Sequence, residues 1–253
     1  MAIWKKPSDP SVYGQLEINA TALLKRMEEE NAKGGDKITL THLLIKSLAL
    51  VLARFPEMNA LIRRNRLYLR DHVDLFVQVF IEEEEGSDLS GATVRDAHQL
   101  SLKQIAEQLS GQSKKIRAGE DPNLKHSKQT LKVLSPRLMK WTLRLLETIA
   151  FDWNWNARFL HLSANPFGAA MITNVGVFGL EMGWAPLVPF SRTPLVMTVG
   201  TLAEKPVAEN GQVVLRPILP LGFTVDHRII DGFLAGRAAK YLKEIFKNPQ
   251  EHL

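Results

Sequence analysis

Apolar positions recur along this chain with two periods, and the switch between them marks where one element gives way to the next. The clearest helical stretch is "DKITLTHLLIKSLALVLARFP", where Leu44, Leu48, Val51, Leu52 and Phe55 fall on one face and Thr39 can cap the start. Pro56 stops it, because proline lacks the amide hydrogen and its ring clashes with the preceding turn. Upstream, "QLEIN" at 15–19 reads as a short strand, and Asn19 or Thr21 can cap the helix "ALLKRMEEENAK", which ends at Gly34 and Gly35. A third helix is predicted in "SLKQIAEQLSGQSKKIRAG". Ser101 and Gln104 have capping-box spacing there, and Leu102, Ile105, Ala106 and Leu109 form the buried stripe. "PRLMKWTLRLLETIAF" predicts a fourth, capped by Ser135 with Pro136 at the first helical position, and Lys140, Arg144 and Glu147 on one face. "GFLAGRAAKYLKEIF" closes the chain before Asn248 and Pro249.

The strand signals lie between these helices and dominate the last third. "RLYLRD" and "VDLFVQVFIE" read as strands, the second apolar on both faces like a buried one. "GAAMITNVGVFG" and "PLVMTVGTLAEKPV" follow, and Asn210 and Gly211 signal a hairpin turn between "KPVAE" and "QVVLRPILPLGFTVDH". Residues 118–130 are polar and loop-like, and the acidic run at 82–85 reads as a solvated loop. There is no internal repeat and no strict βαβ rhythm. The pattern predicts one α+β domain over 1–253, a two-layer arrangement of a mixed sheet covered by helices.

Composition narrows the function. The chain has 253 residues, 45% of them hydrophobic and 23% charged, which is enough for a sizeable core. It has no cysteine, which excludes structural disulfides, a thiol nucleophile and thiolate metal sites, and which fits a reducing, cytoplasmic setting. The start, "MAIWKKPSDP", lacks the apolar run of a signal peptide, and no uncharged apolar stretch is long enough to span a membrane. The net charge of +5 is spread in pairs such as Arg63 and Arg64 rather than in a stripe interleaved with aromatics. That argues against nucleic acid, although a phosphorylated small ligand suits such a surface.

Motifs for metalloprotease, serine hydrolase, P-loop and dinucleotide sites are absent, and the seven histidines lack metal-ligand spacing, so no metal is expected. What stands out is "FTVDHRIIDGF" at 223–233, with Asp226, His227 and Asp231 close together at a strand end. Taken by itself the stretch has a plain structural explanation. Asp231 is a natural N-cap, Gly232 can allow close packing, His227 can be an ordinary half-buried histidine, and Arg228 can pair with either acid.

The order of motifs shifts that balance. "TVDHRIIDG" before a closing helix resembles the DHRxxDG signature of the 2-oxoacid dehydrogenase acyltransferases, the dihydrolipoamide acyltransferase components, which share a fold with chloramphenicol acetyltransferase. The match falls on Asp226, His227, Arg228, Asp231 and Gly232. "KITLTHLLIKSLALVLARFPEMNA", "VRDAHQLSLKQIAEQL" and "MITNVGVFGLEMGWAPLVPFSRTPLVMTVG" resemble further family segments in the family's order. The resemblance implies a chloramphenicol acetyltransferase-like fold and acyl transfer from coenzyme A as substrate. His227 would be the base that takes the attacking thiol's proton, a task suited to a side chain with an unperturbed pKa of about 6.5. Thr173, in "MITNVG", matches the family's hydroxyl donor to the oxyanion. Asp231 would hold the active-site loop by an ion pair, with Arg228, Asp226 and Gly232 supporting the site. With no cysteine available, direct transfer is expected rather than an acyl-enzyme. The coenzyme contacts are not identified.

The departures matter too. Met1 starts almost directly on the catalytic region, so no lipoyl attachment domain is expected on this chain and the acceptor would be dihydrolipoamide on a separate protein, or another small thiol, alcohol or amine. The family's arginine-containing N-terminal helix is reduced to "IWKKPSDPSVYG", and its "GLxxPV" becomes "GSDLSGATV". Residues 120–166 look like an insertion. It carries Trp141, Trp153 and Trp155, which are core by default but could line an acceptor pocket. The resemblance also implies a homotrimer, or a multiple of one, with His227 and Thr173 meeting between chains. Two alternatives remain at this point: a non-catalytic trimeric scaffold of a dehydrogenase-type complex, and an antibiotic-type O-acetyltransferase, whose motif has a second histidine where this chain has Asp226.

Overall fold

The computed structural model describes residues 9–83, 86–117 and 167–253. Strand β1 (Ser11–Asn19) leads into α1 (Thr21–Ala32) and α2 (Leu40–Arg54). A hairpin of β2 (Ala60–Arg63) and β3 (Arg66–Leu69) precedes β4 (Leu75–Glu83), β5 (Gly86–Val94) and α3 (Leu102–Arg117). Then come β6 (Ala170–Asn174), β7 (Leu195–Val199), β8 (Ala203–Glu209), β9 (Gln212–Asp226), α4 (Gly232–Lys247) and α5 (Pro249–His252). The seven-stranded sheet runs β1-β9-β7-β6-β4-β5, with β8 hydrogen-bonded to the outer part of β9. It is mixed: β4, β6 and β7 are parallel to one another, and the remaining pairings are antiparallel. The expected α+β class, a mixed sheet with helices, is what the structure shows.

Local chemistry explains the element starts. The Thr39 amide donates to His42 Nδ1 at 3.0 Å in a capping box at the head of α2. Ser101 and Gln104 cap α3 reciprocally, the Ser101 amide donating to Gln104 Oε1 at 2.8 Å and the Gln104 amide to Ser101 Oγ at 3.3 Å. Asn19 Oδ1 accepts the Thr21 amide at 3.0 Å at the entry to α1. Asn210 (φ 52°) and Gly211 (φ 78°) form the left-handed two-residue turn that joins β8 to β9.

Several boundaries differ from the sequence pattern. β1 begins at Ser11 because it pairs with β9 along its whole length, up to Ser11 opposite Asp226. "PLVMTVGTLAEKPV" is two strands, since Gly200 and the residues after it turn the chain between β7 and β8. "GAAMITNVGVFG" is a strand only to Asn174 and then a 3-10 turn at Gly176–Phe178. The acidic run is not a free loop at its start: Glu82 and Glu83 extend β4 and pair with Ser87 and Gly86. The fourth predicted helix, the three tryptophans of the insertion and the loop-like 118–130 lie outside the described residues.

Strand alternation sorts the sheet's two faces. Ile172, Met197, Val199, Leu219 and Leu221 point into the main core, packed with Leu48, Leu52 and Ile245 from the helices. Each such buried side chain contributes about 1.5–3 kcal/mol. The opposite face carries Thr173, Thr198, Gly222, Thr224 and Asp226. Stability is therefore concentrated on the helix side, and the other face can carry polar groups.

Candidate active site

The "DHRIIDG" stretch forms a tight turn between β9 and α4. Asp226 is the last residue of β9, and its side chain is buried. Its carboxylate accepts from Arg228 at three points: the backbone amide at 3.0 Å, Nε at 2.9 Å and Nη2 at 2.6 Å. This charge-assisted fork raises the Arg228 pKa above the ordinary arginine value. The Asp226 amide donates to the Pro194 carbonyl at 2.8 Å, and its carbonyl accepts the Ile229 and Ile230 amides, each at 2.9 Å. The His227 amide donates to the Pro10 carbonyl at 3.0 Å, so β1 holds the turn from the other side. The imidazole itself is exposed. A rigid backbone thus presents a solvent-accessible base.

Asp231 stands at the head of the helix that follows the turn. Its Oδ1 accepts the Leu234 amide at 2.8 Å as the N-cap of α4, and among the described residues it makes no ion pair. Asp226 takes the arginine instead, because Arg228 is two residues away on the same turn. Gly232 is exposed and opens the helix.

Thr173 lies near the end of β6, 8% exposed, with no partner for its hydroxyl among the described residues. Its register partner is Thr198, whose hydroxyl donates to the Gly183 carbonyl. That bond pins the segment 180–188 across the sheet's second face, and the next residue, Trp184, ties it to β1 through its indole, which donates to the Gly14 carbonyl at 3.0 Å. The approach is so close that a Cβ on Gly222 would sit 2.4 Å from the Gly183 carbonyl oxygen, and one on Gly200 would sit 1.9 Å from that of Glu181. The role of Thr198 was signalled only as a threonine on the non-core face of "PLVMTV". The Pro10 and Trp184 contacts had no sequence signal, since each joins residues far apart in the chain.

Within one chain His227 and Thr173 do not meet. Thr173 is level with Thr198, and Thr198 with Gly222, five residues short of His227 on β9. At about 3.3 Å per residue and about 4.8 Å per strand spacing, the two backbones stand roughly 20 Å apart. Beside the Asp226–Arg228 pair opens a cavity of about 550 Å³, lined also by Asp9, Ser11, Ile62 and Thr193. The Thr193 hydroxyl is buried without a partner. Among the described residues no three carboxylates or imidazoles gather as metal ligands, and no helix is long and apolar enough to cross a membrane.

The model of the 2-oxoacid dehydrogenases acyltransferase (catalytic domain) family matches residues 5–130 and 162–253, including the turn and the Thr173 strand. The chain belongs to that family. The acetyltransferase component of the acetoin cleaving system of Bacillus subtilis is 26% identical over 235 residues, 92% of this chain and 48% of that protein. The chain thus spans about half the length of the curated relatives it matches. A solved dihydrolipoamide acetyltransferase of Azotobacter vinelandii, studied for the catalytic roles of a serine, a histidine and an asparagine, superposes with a TM-score of 0.69 at 19% identity, covering 96% of this chain and 84% of that one. Chloramphenicol acetyltransferase superposes at 0.52 with 12% identity, covering 94% and 89%. These likenesses show the acyltransferase fold that the motif order implied.

Proposed function

We propose that this chain is the catalytic domain of a CoA-dependent acyltransferase that moves an acyl group between CoA and a thiol acceptor. The observation that carries this reading is the braced turn that presents His227 to solvent while the unpartnered Thr173 hydroxyl waits on another strand. His227 takes the proton of the attacking thiol, and the new sulfur–carbon bond forms at the thioester carbonyl. The carbonyl oxygen becomes an oxyanion that accepts a hydrogen bond from Thr173. Collapse expels the CoA thiolate, which recovers the proton from the imidazolium. Asp226 and Arg228 brace the turn, Asp231 caps the helix behind it, and Gly232 lets that helix begin there. The spacing in the Azotobacter protein supports the assignment: its histidine and asparagine stand four positions apart, as do His227 and Asp231.

The separation within one chain supports a site completed by a second copy, in a homotrimer or a multiple of one, where His227 of one protomer faces Thr173 of its neighbour. The acceptor we favour is a dihydrolipoyl group, because dihydrolipoyllysine-residue acetyl- and succinyltransferase components of dehydrogenase complexes are the relatives. The gap at 131–161 between the matched stretches supports an insertion that tunes acceptor choice.

The test is complementation between damaged copies. His227→Ala and Thr173→Ala proteins are purified, unfolded together, refolded and assayed for CoA release from acyl-CoA with a dihydrolipoamide acceptor. Random mixing in a cyclic trimer makes about a quarter of the sites whole. Recovery to roughly a quarter of wild-type activity supports the shared site. Activity no higher than the average of the two variants, from well-folded mixed oligomers, rejects it.

A further inference from the structure

On the helix side of the sheet, beneath the catalytic turn, lies a half-open cavity of about 300 Å³ between β1, α2 and α4. Val51 of α2, Phe223 of β9 and Ile230 of the turn are among its walls, and none of its lining residues is charged. Small residues make the room: Gly14 on the strand side, Gly236 and Ala239 on the helix side. A Cβ built on Gly14 or Gly236 meets nothing within 4 Å, and both residues are exposed, so they mark the mouth. Protein interiors leave few voids larger than a water molecule, and an engineered apolar cavity of about 150 Å³ is already large enough to take benzene. A space twice that size, bounded by core residues, has the dimensions of a ligand site.

Its place is informative. Val12 and Val225 both line it and are register partners, two positions from His227 along β9, or about 7 Å of strand. The polar arm and phosphates of CoA do not suit an uncharged apolar wall. The tail of an acyl group does.

We propose that this cavity seats the apolar end of the transferred acyl group. The preferred donor is then a CoA thioester of a straight or branched aliphatic acid longer than acetyl, roughly four to eight carbons for a cavity of this size. The proposal rests on the reading of His227 as the base of acyl transfer.

The experiment compares acetyl-CoA with hexanoyl-CoA in wild type and Gly236→Leu. Each buried methylene strengthens binding about fourfold, so four of them favour hexanoyl-CoA by about 10²-fold. Leucine is a better helix former than glycine, and its Cβ meets no neighbour, so the variant should fold while its side chain narrows the mouth. Two readouts are taken: the ratio of kcat/KM for the two donors, and their affinities by calorimetry without acceptor. A hexanoyl preference of tenfold or more that collapses in Gly236→Leu, in both readouts, is the expected result. Equal affinity for the two donors overturns the proposal, whatever the turnover. If acetyl transfer still proceeds in that case, the role of His227 stands and only the acyl seat falls. Loss of the oligomer in Gly236→Leu, with the donor ratio unchanged, also overturns it and assigns the cavity to a second copy of the chain.

Discussion

At the end of β9 an exposed imidazole stands on a backbone tied to Pro10, Pro194 and its own turn; at the end of β6 Thr173, largely buried as a residue, lies on a sheet face crossed by the segment that Thr198 and Trp184 hold down. Both ends belong to one sheet, yet the roles proposed for them make opposite demands. A base must gain and lose a proton, so its ring needs access while its position is fixed from behind. An oxyanion donor works best where water is excluded and its dipole is already aimed. On the roles proposed for His227 and Thr173, the contrast gives one chain a reason to keep the two apart: a single strand end cannot leave one side chain open to solvent and enclose another at once.

The contrast breaks most sharply at His227. His227→Ala should lower the rate of acyl transfer by about 10²–10⁴, while the midpoint of thermal unfolding hardly moves because the ring is exposed. Turnover within a few-fold of wild type would end the base assignment. At the covered end, Thr173→Ala should lower kcat by about 10²–10³ with KM little changed, and Thr173→Ser should retain most activity. Steady-state kinetics of the two variants decide the matter, since equal behaviour would reduce Thr173 to packing.

Asp231 tests whether the turn needs a charge or only a cap. Asp231→Ala should cost about 1 kcal/mol of stability and Asp231→Asn much less, because asparagine accepts the same amide hydrogen bond. Urea unfolding measures this; a large loss in Asp231→Asn would mean that the carboxylate charge itself is needed.

The smallest effect separates the scaffold from both ends. Burial holds the His42 pKa below its ordinary 6.5, with Asp36 opposing the shift, and its Nδ1 accepts the Thr39 amide. The folded state therefore binds the proton less readily than the unfolded chain. The stability this histidine contributes is complete above about pH 6.5 and is lost as pH falls from there through the lower folded value. Urea midpoints at pH 7.5, 6 and 5 should fall with acid in wild type and less in His42→Gln, which keeps an acceptor for the cap. Identical slopes would remove His42 from the acid response.

The sequence made the strongly periodic and capped parts legible. Helix α2, with its Thr39 cap, α3, with its Ser101 and Gln104 pair, and the turn at Asn210 and Gly211 stand where their local chemistry put them. What it did not show was set by distant partners. β2 and β5 are strands because β3 and β4 lie beside them, and neither "ALIR" nor "GSDLSGATV" carries a pattern of its own. Likewise DHRxxDG located the turn, but not which acid takes Arg228; proximity on the turn assigns Asp226. The wide spacing of His227 and Thr173 within a chain depends on register, which no single segment encodes.

The long pairing of β1 with β9 also governs when the site can come into being. Ser11 meets Asp226 and Asn19 meets Ile218, so the ladder joins segments about two hundred residues apart. Closing so large a loop costs about 2.7 kcal/mol more entropy than closing one of ten residues. Contacts this distant are made late in folding. A nascent chain still lacking β9 can pack α2 against α1 but has no partner for β1 and no turn for His227. On refolding from denaturant, helical signal should therefore return before catalytic activity does.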